Sequence, residues 1–174
     1  DWSSDVCSSD LDAYDVLINS NVYDILDKFK SYRCNLLIGA ELNCFPSHYK
    51  SQMDDVSKIL NLNTLNKYIN SGGYIGYKKS VHKLLTWKSL QEIEFICSCG
   101  SDQAYFIEYY LANYMKESVL LDYTSDVFQN MHLISWKEVD FRGGRVYNNI
   151  LKTYPCFIHF NGGVWQTQTC ENIM

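Results

Sequence analysis

Apolar residues along the chain follow two rhythms. Val22, Ile25, Leu26 and Phe29 recur at intervals of three and four, which predicts an amphipathic helix ending near Tyr32, with Asn19 and Ser20 as caps. Asn35 to Ala40 is a continuous apolar run and reads as a buried strand. Asp12 to Ile18 reads as the end of another buried strand opening into a turn. Cys44 to Tyr49, with Pro46, reads as loop, and Met53 to Leu60 as a short helix. Tyr68 to Tyr77 is a strand in which Gly72, Gly73 and Gly76 stand among apolar and aromatic neighbours. Glycines there imply that another group approaches the backbone closely. Val81, Leu84 and Leu85 mark a helix up to about Leu90, and a second begins near Asp102 and carries Tyr105, Phe106, Tyr109 and Tyr110. Val119–Asp122, Val127–Gln129 and Cys156–Phe160 are further strands, and Arg142-Gly143-Gly144-Arg145 is a hairpin turn. Helices and strands alternate, with hairpin-like pieces towards the end. The pattern favours an α/β architecture, a mainly parallel mixed sheet flanked by helices.

Composition changes this picture at one place. Residues 1–11, Asp-Trp-Ser-Ser-Asp-Val-Cys-Ser-Ser-Asp-Leu, read as one frame of a translated sequencing adapter, so they are set aside as a non-native segment and 12–174 are taken as the domain. The segment holds Asp1, Asp5 and Asp10 and no base, so the formal charge falls from −5 to 15 minus 17, or −2. A nearly neutral chain lacks the basic stripe that a phosphate backbone requires, which argues against a nucleic-acid partner. The remainder, roughly 160 residues, suits one core. No run of 18 apolar residues suggests a membrane span. Cys34, Cys44, Cys97, Cys99, Cys156 and Cys170 permit disulfides without requiring them, and Cys97-x-Cys99 is too tightly spaced for a structural zinc knuckle.

The chemistry begins at Asp12-Ala13-Tyr14-Asp15. Two carboxylates three apart, where a strand opens into a turn, can face one ligand beyond the sheet. Such oxygen donors suit Mg²⁺ or Mn²⁺, ions that also hold substrate phosphates. Asp at a strand end is more often a turn or capping residue. His159 closes the apolar run Cys156-Phe157-Ile158. A histidine in that position is usually a hydrogen-bonded core residue, but joined to Asp12 and Asp15 it would favour Mn²⁺. The Asn161-Gly162-Gly163 backbone could then offer N–H groups to a diphosphate.

Four blocks, in order, resemble the glycosyltransferase domain of the procollagen lysyl hydroxylases. They are Asp12-Ala13-Tyr14-Asp15-Val16; Ala40-Glu41 followed by Pro46; Asn70-Ser71-Gly72-Gly73-Tyr74-Ile75-Gly76-Tyr77; and a last set spread over the second half. That set comprises Ser101-Asp102-Gln103, Leu121-Asp122 with Val127-Phe128-Gln129-Asn130, and Pro155 with Ile158-His159-x-Asn161-Gly162. The resemblance implies a GT-A (Rossmann-like) glycosyltransferase fold, truncated at its N-terminus, and a UDP-glucose or UDP-galactose donor. It implies a divalent cation, Mn²⁺ or Mg²⁺, held by Asp12, Asp15 and His159, with Tyr14 against the uridine. Ser71, Gly72 and Gly73 would line the sugar and diphosphate, Asn161 and Gly162 would contact the phosphates, Asp102 would sit beside the reacting sugar carbon, and Gln103 would support it. The implied acceptor is a hydroxyl of a collagen-like protein or a glycan, such as hydroxylysine or galactosyl-hydroxylysine.

The chain departs from the family where an Asp-rich run gives way to Cys97-Ser98-Cys99-Gly100-Ser101, leaving Asp102 as the acid, and where Trp165 stands near the place of a Lys. Two other expectations remain open at this stage. One is a non-catalytic module of the same fold that only binds or scaffolds, and the other is a phosphoester hydrolase using the same metal cluster.

Overall fold

The computed structural model describes residues 7–11 and 14–162. Strand β1 (Cys7–Leu11) leads to β2 (Val16–Ile18), helix α1 (Val22–Ser31) and strand β3 (Leu36–Glu41). Helix α2 (Lys50–Ile59) and the long strand β4 (Tyr68–Tyr77) come next, followed by helices α3 (Lys78–Leu85), α4 (Leu90–Ile96) and α5 (Gln103–Asn113). Strands β5 (Val119–Asp122), β6 (Phe128–Asn130), β7 (Val139–Arg142), β8 (Arg145–Asn148) and β9 (Phe157–His159) complete the order.

These strands form a four-stranded sheet β1-β4-β3-β5, a three-stranded sheet β2-β9-β6 and the hairpin β7-β8. Only β3–β5 and β6–β9 run parallel; β1–β4, β2–β9, β3–β4 and β7–β8 are antiparallel. The expectation of a mainly parallel sheet is therefore corrected to a mixed one. Alternation of strand and helix fixes the elements but not the end at which the chain re-enters the sheet. Glu41 pairs with Tyr68, so the connection that carries α2 leaves and returns at one end, as a hairpin does. Residues 7–11, set aside in the sequence reading, lie along β4 with Leu11 opposite Gly73. Main-chain groups make that pairing, so it is indifferent to the origin of these residues.

Alternation along β3 builds two cores. Leu36 and Ile38 face α2, α3 and α5, packing with Met53, Leu84, Ile107 and Tyr110, whereas Leu37 faces Phe29 of α1, Val127 and Phe157. A smaller cluster of Met131, Ile134 and Ile158 lies beside the β7–β8 hairpin. At the tip of that hairpin, Gly143 and Gly144 have φ of 58° and 78°, the left-handed pair that a two-residue turn requires.

Helix starts differ from the sequence reading in two places. Asn21, not Asn19 or Ser20, caps α1 by accepting from the Tyr23 and Asp24 N–H groups. Asn19 is buried and joins separate segments, accepting from Val146 N–H and donating to the Val146 and Pro155 carbonyls. The helix expected to run up to about Leu90 stops at Leu85, and α4 begins anew behind Ser89, where Ser89 and Glu92 form a reciprocal capping box. No helix among the described residues is long and apolar enough to cross a membrane. Among the described residues, Cys34, Cys44 and Cys156 are buried free thiols.

Candidate functional site

The site is built around an irregularity in β4. Ile38 pairs with Tyr74, but the next residue, Gly39, pairs with Asn70. Ser71, Gly72 and Gly73 therefore bulge out opposite one step of β3, and such bulges re-aim the side chains beside them. Ser71 turns towards the start of α5. Its N–H donates to Gln103 Oε1 at 3.2 Å and its hydroxyl to Asp102 Oδ1 at 3.0 Å. Gly72 turns towards the smaller sheet, where a Cβ would lie 2.1 Å from His159 Cε1. A Cβ on Gly73 would lie 2.7 Å from the Phe128 ring. The close approaches expected at these glycines are thus made by the protein's own rings.

His159, at the end of β9, is 6% exposed. Its Nδ1 lies 3.0 Å from Asn70 Oδ1 and 2.8 Å from Asn130 Oδ1. Its Nε2 lies 3.4 Å from Asp15 Oδ1. Asp15 enters beside it because β2 pairs antiparallel with β9, Val16 opposite His159, and because Phe160 N–H donates to the Asp15 carbonyl. Two ligands each about 2.1 Å from a Mg²⁺-sized ion lie roughly 3 Å apart, so this pair is spaced to share a cation. Asp12, the third expected ligand, lies outside the described residues, and among those described no group of three His, Cys, Asp or Glu side chains could hold a metal.

Glu41 joins the two halves. It closes β3, is 4% exposed, and accepts from Asn70 Nδ2 at 3.2 Å, Gln103 Nε2 at 3.1 Å and Asn161 Nδ2 at 2.9 Å. His132 Nδ1 stands 3.7 Å from its other side. Burial pushes the Glu41 carboxyl above its ordinary value, and the Asn70 and Gln103 hydrogen bonds oppose that rise. The sequence reading named Glu41 only as part of a block. The available signal was an acid closing a wholly apolar strand, a placement that demands partners.

The other expected residues are placed as follows. Asp102 precedes α5 and is exposed, while Gln103 is buried and also donates to the Phe45 carbonyl at 2.8 Å, tying the loop at Pro46 to the bulge. The Asn161 side chain is engaged internally, its Oδ1 accepting from Met131 and His132 N–H at 3.0 Å each and its Nδ2 donating to Glu41. Gly162 has φ of 84°, with the His132 ring 2.8 Å from where its Cβ would be. Only main-chain groups of Asn161 and Gly162 are thus left for a phosphate. Tyr14 is fully exposed beside Asp15. Trp165 and Gly163 lie outside the described residues. Asp15, Asp102 and Glu41 gather negative charge, and among the described residues no Lys or Arg forms an ion pair with any of them. The arrangement suits a cation and the anion that it carries.

A family model described as the PLOD GT domain matches residues 6–169. The chain is 31% identical over 158 residues to the procollagen-lysine,2-oxoglutarate 5-dioxygenase of Drosophila melanogaster, covering 87% of this chain and 20% of that protein. It is 30% identical over 168 residues to the multifunctional procollagen lysine hydroxylase and glycosyltransferase of Caenorhabditis elegans, covering 92% and 22%. For the human multifunctional enzyme LH3 the figures are 29% over 159 residues, 87% and 20%. The chain thus spans about a fifth of the length of the curated relatives it matches.

Proposed function

Because the chain belongs to the PLOD GT-domain family, a glycosyltransferase family, we propose that it moves glucose or galactose from a UDP-sugar to a hydroxyl acceptor. In this reading the acceptor is a hydroxylysine or galactosyl-hydroxylysine of a collagen-like protein. A Mn²⁺ or Mg²⁺ ion is held by Asp12, Asp15 and His159. The observation that carries the reading is the 3.4 Å approach of Asp15 Oδ1 to His159 Nε2, two residues far apart in sequence.

A cation bound there would stabilise the negative charge that grows on the β-phosphate as the bond from sugar to UDP breaks. The chain's own residues position the reactants. Asp15 and His159 fix the diphosphate end by fixing its counter-ion. Exposed Tyr14 offers a flat apolar face to the base. Ser71 holds Asp102 through its hydroxyl, so that carboxylate is oriented at the rim where the sugar and acceptor meet. Gln103 clamps the bulge from behind, and main-chain N–H groups at Asn161 and Gly162 face the phosphates.

The test is UDP release from UDP-glucose and UDP-galactose, with Mn²⁺ or Mg²⁺ and with a chelator. Metal-dependent release is expected, with Asp15→Ala slowing it by on the order of 3 kcal/mol of barrier, a hundredfold or more. Nucleotide-sugar binding without any release would instead make this a non-catalytic module. Release unchanged by chelation and by Asp15→Ala would sink the metal assignment.

A further inference from the structure

The two asparagines that flank His159 do more than fill space, and their orientation can be read without ambiguity. Asn70 Oδ1 accepts from the Gly72 main-chain N–H at 3.0 Å, and its Nδ2 donates to Glu41 Oε1. Turning that amide over would set its NH₂ against an N–H donor and its oxygen against a carboxylate. Asn130 Nδ2 donates to the Ala40 carbonyl at 2.9 Å, and turning it over would oppose two oxygens. A main-chain N–H can only donate and a carbonyl can only accept, so both amides are fixed by partners whose roles cannot change. Both therefore present oxygen, not NH₂, to His159 Nδ1, at 3.0 and 2.8 Å.

A ring nitrogen facing two acceptors must carry the proton. The other nitrogen, Nε2, faces Asp15 Oδ1 at 3.4 Å, which leaves it as the ring nitrogen that a cation shared with Asp15 would take. We infer that Asn70 and Asn130 are positioning residues that keep a proton on His159 Nδ1 and so reserve Nε2 for the cation shared with Asp15. The inference rests on the metal reading above and adds to it the device that readies the imidazole before the ion arrives. Outer-shell partners of this kind fix ring orientation and raise ligand basicity. The arrangement also ties the ligand to the rest of the site. Asn70 touches His159, Gly72 and Glu41 at once, and Glu41 holds Gln103, which clamps Ser71. Gly72 is what lets the ring come so close, since any side chain there would occupy its place.

The decisive measurement is long-range ¹H–¹⁵N NMR on the metal-free chain with ¹⁵N-labelled histidine at neutral pH, followed by addition of Mn²⁺. The chain has four histidines, so His159 can be assigned by comparison with His159→Gln. The expected result is a protonated Nδ1 in the unsubstituted protein, with selective broadening of His159 by Mn²⁺. Asn130→Ala and Asn70→Ala should each yield a mixture of tautomers and Mn²⁺ binding weakened about 10- to 100-fold, read from the EPR signal of free Mn²⁺. An unprotonated Nδ1 in the unsubstituted protein overturns the proposal, and needs no variant to fold. So does an unchanged tautomer in both asparagine variants. A protonated Nδ1 without any broadening by Mn²⁺ would leave the hold on Nδ1 standing and remove the metal reading beneath it.

Discussion

Gly72 and Ser71 are adjacent on one bulge, yet they serve two unlike halves of the site. Gly72 faces a ring that is held on every side, by Asn70, Asn130 and Asp15, and is 6% exposed. Ser71 faces Asp102, an exposed carboxylate before a helix that it does not itself cap with a side-chain hydrogen bond. One half is prearranged in the protein interior; the other is a rim whose groups water can reach. The difference matches the demands on each. A group that grips an ion common to every turnover gains from rigidity. A group that meets an exchanging acceptor must stay reachable.

The sharpest way to break the comparison is Gly72→Ala. The new Cβ would lie 2.1 Å from His159 Cε1 and 2.8 Å from both ring nitrogens. The obstacle is the body of a pinned ring rather than the loose end of a side chain, so the ring or β9 must move. Overpacking at such a site costs about 3 kcal/mol, the upper end of the usual range, and Mn²⁺ binding should fall with it. Denaturant unfolding and EPR titration would check both. Removing the ring as well, in Gly72→Ala with His159→Ala, should restore most of the stability and none of the metal binding. A single variant with unaltered stability would show that the ring is not confined.

Between the two halves lies Glu41, and pH tests its role. Burial raises its native pKa above the ordinary 4.5. The folded protein then binds this proton more tightly than the unfolded chain does. The sign follows: the contribution to stability is full below pH 4.5 and is lost as pH climbs through the raised native value. Glu41→Gln removes that proton from the balance. Because Asp122, also raised by burial, titrates in both proteins, the quantity to measure is the difference between them. The unsubstituted chain should lose more stability than the variant as pH rises above 4.5, by on the order of 1 kcal/mol for each pKa unit of elevation. Parallel pH curves would mean that the carboxyl is not strained by its burial.

Much of this arrangement could be read in the sequence, and the remainder shows what a sequence hides. β4 spans Tyr68–Tyr77 as its apolar and glycine pattern predicts, and β3, β5 and α5 fall within a residue or so of expectation. These are segments where local pattern and tertiary burial agree. The start of α4 is legible in Ser89-Leu90-Gln91-Glu92, although Leu84 and Leu85 suggest a helix that continues. Strand direction was not legible, since nothing local records which end of the sheet α2 returns to. The resemblance implies that Asp15 and His159 share a cation, and the geometry adds Asn70 and Asn130 as partners of the ring. Asn70 and Asn130 carry no signal of their own role. An amide acquires a direction only from the Gly72 N–H and the Ala40 carbonyl that fix it, and both contacts exist only in the folded protein.

Ser71→Ala should give the smallest effect and so sharpens the contrast best. It deletes one hydroxyl whose partner, Asp102 Oδ1, is open to water, and it leaves the Ser71 N–H bond to Gln103 intact. A substitution of this kind usually shifts stability by about 0.5 kcal/mol or less. Water can take the hydroxyl's place beside Asp102, so no buried donor is orphaned. What is lost is the orientation of one carboxylate. UDP release should therefore slow several-fold while the melting temperature and Mn²⁺ affinity hold steady, the reverse of the pattern expected one residue on at Gly72. Should Ser71→Ala weaken Mn²⁺ binding as much as Gly72→Ala does, the bulge would be a single rigid unit and the division between interior ligand and open rim would fail.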